Sequence, residues 1–170
     1  EDDDEVSYSF DGLPSWLYFN PSDQSITGTP RNEDVGVYRI AITASDVEGA
    51  YDTLPIKITV ENTNDAPVFA SSAILEVLEG EEYRYTVQAT DIDIGDTVSI
   101  SAPELPSWLS FDGNTNNLFG TPQNSQVGQH SVILHARDAE GAIVEQSFTI
   151  GVINVNQAPV ITSKKVEKAE

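Results

Sequence analysis

The chain has 170 residues, 39% of them apolar and 21% charged, enough to build one large or two small globular units. Its 28 Asp and Glu against 8 Lys and Arg give a formal charge of −20, a field that repels phosphate backbones and anionic lipid and argues against nucleic-acid and membrane roles. Cysteine and methionine are absent, which removes disulfide scaffolds, thiol catalysis and thiolate zinc sites, and no apolar run approaches the ~18 residues of a membrane span.

From the N-terminus, an acidic run (Glu1–Glu5) precedes the turn signal Asp11-Gly12 and the segment Leu13-Pro14-Ser15-Trp16-Leu17. Asn20-Pro21 is the next turn, followed by Gly28-Thr29-Pro30. Tyr38, Ile40, Ile42 and Ala44 alternate with polar neighbours and end at Asp46-Val47-Glu48-Gly49; Leu54, Ile56, Ile58 and Val60 alternate again. Both patterns predict half-buried strands of period two. Asn64-Asp65-Ala66-Pro67-Val68 follows, then short strand candidates at Ile74–Leu78, Tyr83–Ala89 and Val98–Ser101.

From there the chain repeats itself. Leu105-Pro106-Ser107-Trp108-Leu109, Gly120-Thr121-Pro122, Asp138-Ala139-Glu140-Gly141-Ala142 and Asn156-Gln157-Ala158-Pro159-Val160 each lie 92 residues after their first copies, with no gap. Four unrelated motifs in one register define a tandem array. His130, Val132, Leu134 and Ala136 repeat the first alternating strand, and Phe148, Ile150 and Val152 the second. About seven short strands per ~90 residues, with no helical periodicity, is the pattern of a β-sandwich. The predicted fold is all-β: two immunoglobulin-like sandwiches joined end to end by a short linker.

The period also sets the expected boundaries: unit 1 over 1–62, unit 2 over 63–155, and a linker with the opening strand of a third unit over 156–170. Residues 1–78 align with 93–170, so Glu79–Ile92, largely strand-like, has one copy. Unit 1 is therefore expected to lack its opening strands, and the chain to be a piece of a longer array. The tail Val160–Glu170 aligns with Val68–Leu78. Strand exchange between copies through residues 160–170 is accordingly an expected partner mode, with Lys164, Lys165 and Lys168 suited to an acidic acceptor.

Little in the sequence supports catalysis. His130 and His135 align with Tyr38 and Thr43, so no repeated site uses them, and five residues apart on a strand they face opposite ways. No nucleophile has a base beside it. Trp16 and Trp108 are read as packed residues rather than sugar platforms. Gly-Thr-Pro is read as a tight turn, its glycine free to take positive φ.

The oxygen-rich clusters are more informative. Asp91-Ile92-Asp93 follows a strand, Asp96 comes shortly after, Asn62-Thr63-Asn64-Asp65 precedes the unit boundary, and Asp138 ends a strand. Calcium takes six to eight hard oxygen ligands, and on an extended backbone Asp91 and Asp93 point the same way. The alternative reading is that Asp and Asn stand there as turn formers.

At these residues the chain resembles a known family. Ala89-Thr90-Asp91-Ile92-Asp93, Ala136-Arg137-Asp138 and Asn62-Thr63-Asn64-Asp65-Ala66-Pro67 are similar to cadherin motifs. The Leu-Pro-Ser-Trp-Leu and Gly-Thr-Pro pieces look like dystroglycan-type cadherin-like (Ig-like) tandem repeats of bacterial surface proteins. The resemblance implies an extracellular array with calcium at its junctions, acting in adhesion or as a spacer. It assigns Asn62, Asn64, Asp65, Asp91, Asp93 and Asp138 as metal ligands. Glu79 best matches the cadherin glutamate that joins such a site, and from unit 2 it could serve only the second junction. This sequence departs from the cadherin linker by having Asn62 for Asp and one residue fewer after Asp65; the second junction carries Gln157 in place of an acid. Beside this reading, the residues leave open a carbohydrate- or peptide-binding module, with Tyr8, Tyr18, Tyr51, Tyr83 and the tryptophans as candidates, and an accessory domain of a secreted enzyme. Expected partners are calcium and a polysaccharide or surface protein, outside the cell and without membrane insertion.

Overall fold

Period-two alternation leaves each strand with one apolar face, and two sheets must close over it to exclude water. In the computed structural model, which describes residues 5–162, the chain does this in two units. One holds Glu1–Asp65 and Asp91–Thr97; the other holds Ala66–Thr90 and Val98–Glu170. Apart from two single-turn 3₁₀ segments, the described regular structure is all strand.

Unit 1 contains β1 (Ser7–Asp11), β2 (Leu17–Asn20), β3 (Ser25–Gly28), β4 (Gly36–Ser45) and β5 (Tyr51–Val60). They form an antiparallel sheet β1-β4-β5 and a hairpin β2-β3. Strands β4 and β5 are the two long alternating segments, paired Ile40↔Ile56 and Ile42↔Leu54. Strands β1 to β3 are four or five residues long and carry no alternation that predicts them.

Unit 2 contains β6 (Val68–Phe69), β7 (Glu76–Leu78), β8 (Tyr83–Thr86), β9 (Ala89–Thr90), β10 (Ser99–Glu104), β11 (Ser110–Asp112), β12 (Asn117–Gly120), β13 (Gly128–Arg137) and β14 (Ile143–Ile153). Its sheets are β10-β13-β14-β7, β11-β12-β8 and the short pair β6-β9. The predicted strand over Tyr83–Ala89 is divided into β8 and the start of β9. A single core joins the two larger sheets: Tyr83, Tyr85 and Val87 meet Leu109, Leu118, Val132, Leu134 and Ile150.

Each tryptophan packs against an aromatic ring of its own unit. Trp108 lies edge-on to Tyr83 and to His130, and Trp16 edge-on to Tyr38. His130 and Tyr38, aligned in the repeat, do the same work. The Tyr38 hydroxyl donates to the Asp34 carbonyl at 2.9 Å, and His130 Nε2 lies 2.6 Å from the aligned Gln126 carbonyl. His135 is elsewhere, 3.6 Å from Glu145.

The Gly-Thr-Pro glycines depart from expectation. Neither Gly28 nor Gly120 has positive φ. Each ends a strand where a Cβ would stand 2.0 Å from the Trp16 carbonyl oxygen or 2.1 Å from that of Trp108. The glycine is required for close backbone approach, not for turn geometry. The proposed exchange segment falls mostly on residues 163–170, which lie outside the described residues; Val160 and Ile161 are exposed.

Candidate metal centre

The acidic residues are placed by short loops whose side chains fold back onto their own backbone. Residues 91–97 connect β9 to β10 and are not extended. Asp91 Oδ1 accepts from the Asp93 N–H at 2.9 Å, the Asp96 N–H donates to the Asp93 carbonyl at 3.2 Å, and Gly95 takes φ +85°. This Asx-type turn is what Asp favours locally, and it corrects the expectation that an extended backbone aims Asp91 and Asp93 together.

The turn separates the two carboxylates. Asp93 is buried and accepts through both oxygens: Oδ1 from Asn32 Nδ2 at 3.0 Å and Oδ2 from the Asp65 N–H at 2.8 Å. The same Asn32 amide also donates to Asp65 Oδ2 at 3.0 Å. Asn32, Asp65 and Asp93 thus form one hydrogen-bonded cluster. Asn64 is half-buried and Asn62 is exposed.

The Asp91 Oδ2 is buried and has no hydrogen-bond partner. Asp96, in the same loop of unit 1, is half-buried like Asp91. Asp138 is buried at the end of β13, where its Oδ1 accepts from the Gly141 and Ala142 N–H groups. Asp46, its repeat counterpart, caps the aligned turn in the same way, with Glu48 at 3.0 Å and Ala50 at 2.9 Å.

Such a group fits a hard divalent cation. A buried carboxylate oxygen without a donor has lost hydration and gained nothing in exchange, at a cost of ~1–3 kcal/mol or more for a charged group. Like charges alongside raise that cost. A calcium ion held there would answer both, with carbonyls or water as its remaining oxygens.

Asn32 belongs to no cadherin-like motif of this chain, and Asp96 lies outside the ligand set that the family resemblance implies. A signal for Asn32 does exist: Asn32…Val35-Gly36 recurs as Asn124…Val127-Gly128 in the same 92-residue register. In unit 2 the Asn124 amide donates to Glu79 Oε2 at 2.7 Å; Glu79 is buried and its Oε1 has no hydrogen-bond partner. An Asn amide therefore holds a carboxylate at the same repeat position of each unit.

Residues 1–61 and 66–153 match the Putative Ig domain family, and the chain belongs to it. Among curated relatives, the serine-rich adhesin for platelets of Staphylococcus aureus (strain MSSA476) is 26% identical over 170 residues, covering 97% of this chain and 7% of that protein. Its counterpart in strain MRSA252 is 27% identical over 147 residues, 84% of this chain and 10% of the relative. The chain thus spans a tenth or less of the length of these relatives, whose name is that of an adhesin, not an enzyme. Among solved structures, human CDH23 EC21-23 superposes with a TM-score of 0.60 at 17% identity, over 89% of this chain and 63% of that one. Human mucin-like protocadherin EC1-2 gives 0.59 at 16%, over 88% and 85%. The protocadherin GammaB4 extracellular domain gives 0.55 at 24%, over 90% and 26%. These likenesses show that the fold is that of cadherin and immunoglobulin-like domains.

Proposed function

We propose that the chain is a calcium-binding adhesion or spacer module of a larger extracellular surface protein, without catalytic activity of its own. The observation that carries this reading is the buried Oδ2 of Asp91, which has no hydrogen-bond partner, in a loop that also holds Asp93 and Asp96. Asp93, Asp65 and Asn64 are assigned to the surrounding shell, and Asn62 to its exposed rim. The adhesin relatives support a surface location and a polysaccharide or surface protein as partner. The Leu-Pro-Ser-Trp-Leu and Gly-Thr-Pro motifs support the dystroglycan-type subclass. A sugar-stacking role for Trp16 and Trp108 is disfavoured, because both indoles are engaged edge-on within their own units.

The test is thermal unfolding in calcium and in excess chelator, with Asp91→Asn alongside. A ligand bound only by the folded state stabilises it by about 2.7 kcal/mol at a hundred times its Kd. For a unit of this size each kcal/mol moves Tm by ~4–8 °C. Calcium is expected to raise Tm, and Asp91→Asn to remove most of the rise while leaving the chelated protein as stable as the parent or more so. An unchanged Tm, with no calcium uptake by calorimetry, would sink the reading.

A further inference from the structure

The outer face of the β1-β4-β5 sheet carries charges that the fold does not need. Ile40 on β4 is buried, so side-chain alternation puts Arg39, Ala41 and Thr43 on the opposite face. Strand register extends that face across the sheet in rows: Arg39↔Lys57, Asp11↔Ala41↔Pro55, Ser9↔Thr43↔Thr53 and Ser7↔Ser45↔Tyr51. Two cations therefore stand directly opposite each other, an arrangement that destabilises a strand pair. Among the described residues neither forms an ion pair, in a chain with 28 Asp and Glu to choose from. In the 92-residue register Arg39 aligns with Ser131, Lys57 with Thr149 and Asp11 with Pro103. Ser131 and Thr149 are paired in the same way on β13 and β14, so this strand pair forms without the cations.

We propose that this face binds a carboxylate-bearing sugar residue of an otherwise neutral glycan. Asp11, Arg39, Ala41, Pro55 and Lys57 line a hollow of about 330 Å³, at the small end of ligand-binding cavities. Arg39 offers a planar fork that matches a carboxylate, and Lys57 adds a second charge. Asp11 on the same wall can only accept hydrogen bonds when ionised. The hollow therefore suits a ligand that brings both a carboxylate and hydroxyl donors, which a uronic acid does. The rows beside it continue that chemistry. The Thr43 and Thr53 hydroxyls lie 3.0 Å apart, those of Ser7 and Ser45 lie 2.9 Å apart, and Tyr51 stands 75% exposed at the end of the face. An exposed ring with a polar tip can pack on the apolar side of a sugar. A net charge of −20 repels a densely charged polymer, which leaves a glycan with isolated carboxylates as the better partner.

This names the partner chemistry of the adhesive reading and rests on it, but it uses none of the residues of the calcium loop. Because Arg39 and Lys57 are exposed, their attraction for a carboxylate weakens as salt rises. The repeat also supplies the variant: Arg39→Ser with Lys57→Thr installs the unit 2 residues at both positions. That change removes a like-charge pair, so Tm is expected to stay level or rise while binding is lost. A fall in Tm would mean that the cations hold the sheet together, and would overturn the assignment.

The experiment titrates the full chain with methyl glucuronide, with neutral methyl glucoside and with acetate, read by amide chemical shifts. Methyl glucuronide is expected to shift Arg39, Lys57 and their neighbours on β4 and β5 saturably, and to bind about tenfold or more tighter than either control. The double variant is expected to lose that preference. No saturable shift, or an unchanged affinity in the double variant, overturns the site. Equal binding of methyl glucoside overturns the role of the charges, and equal binding of acetate overturns the sugar. A peptide with a single glutamate that binds more tightly than the glucuronide overturns the choice of partner. Each titration is run in calcium and in chelator. Failure of the calcium reading shows as an unmoved Tm with glucuronide binding intact, and failure of this proposal as the reverse.

Discussion

Unit 2 and unit 1 carry the same alternating strands in the same register, yet one encloses its core and the other does not. Strands β13 and β14 bury Val132, Leu134, Ala136, Ile150 and Val152; β4 and β5 bury only Ile40 among the aligned positions. Alternation prepares an apolar face, but closure needs a second layer, and in unit 2 β8 and the residue after it supply its centre through Tyr83, Tyr85 and Val87. Among the described residues of unit 1, no strand stands at the position β8 holds in unit 2.

This contrast predicts unequal responses to equal substitutions. The largest effect is expected from Leu134→Ala, which empties a fully enclosed position and costs about 2–5 kcal/mol. The aligned Ile42→Ala is expected to cost well under half of that, since its site is already half open. Denaturant titration with unit-resolved hydrogen exchange measures both, and equal losses would show that unit 1 is as tightly closed as unit 2.

Next come the two glycines where the units agree. Gly28→Ala and Gly120→Ala each push a Cβ into a tryptophan carbonyl, and each is expected to cost about 1–3 kcal/mol through strand displacement. Here the comparison should show similar losses, because the contact lies within aligned strands present in both units. A tolerated Gly28→Ala beside a damaging Gly120→Ala would mean that the β3 end of unit 1 is loose.

A smaller, pH-dependent difference belongs to unit 2 alone. Burial pushes the Tyr83 hydroxyl well above its ordinary value of 10.0, and the hydroxyl donates to the Ile74 carbonyl at 2.9 Å. A folded-state value above the unfolded one contributes stability that is complete below pH ~10 and is lost as pH rises beyond it. Unit 2 is therefore expected to lose stability above pH 10. Tyr83→Phe should flatten that loss, while costing about 1 kcal/mol at neutral pH for the missing hydrogen bond. Urea midpoints across pH 8 to 11 at these two compositions decide it.

The half-buried Asp112 behaves in the opposite sense. The Thr115 hydroxyl and then the Asn114 N–H hold its carboxyl below the ordinary range. Its contribution is present above the unfolded value and fades as pH falls through the lower folded one.

The 92-residue period, the all-β class and the four long strands were legible from repeat and alternation. So was the Asp-x-x-Gly turn that Asp46 and Asp138 cap. The short strands β1, β2, β3, β11 and β12 were not, because three to five residues carry too few alternations and owe their conformation to pairing partners. The candidate site was only partly legible. Clustering of acidic residues marked Asp91, Asp93 and Asp138, but the fold sets Asp93 against Asn32 and Asp65. Asn32, which binds Asp93 and Asp65, lies 33 residues from one and 61 from the other.

By itself, then, the amino-acid order determined what nearest neighbours and period determine: which segments extend, which faces are apolar, where the turns fall, and that the unit repeats. Tertiary structure alone decided which oxygen is left without a donor, why Gly28 and Gly120 must be glycine, and how far each core is closed. Those depend on atoms brought together across dozens of residues, and distance along a chain does not encode distance in space.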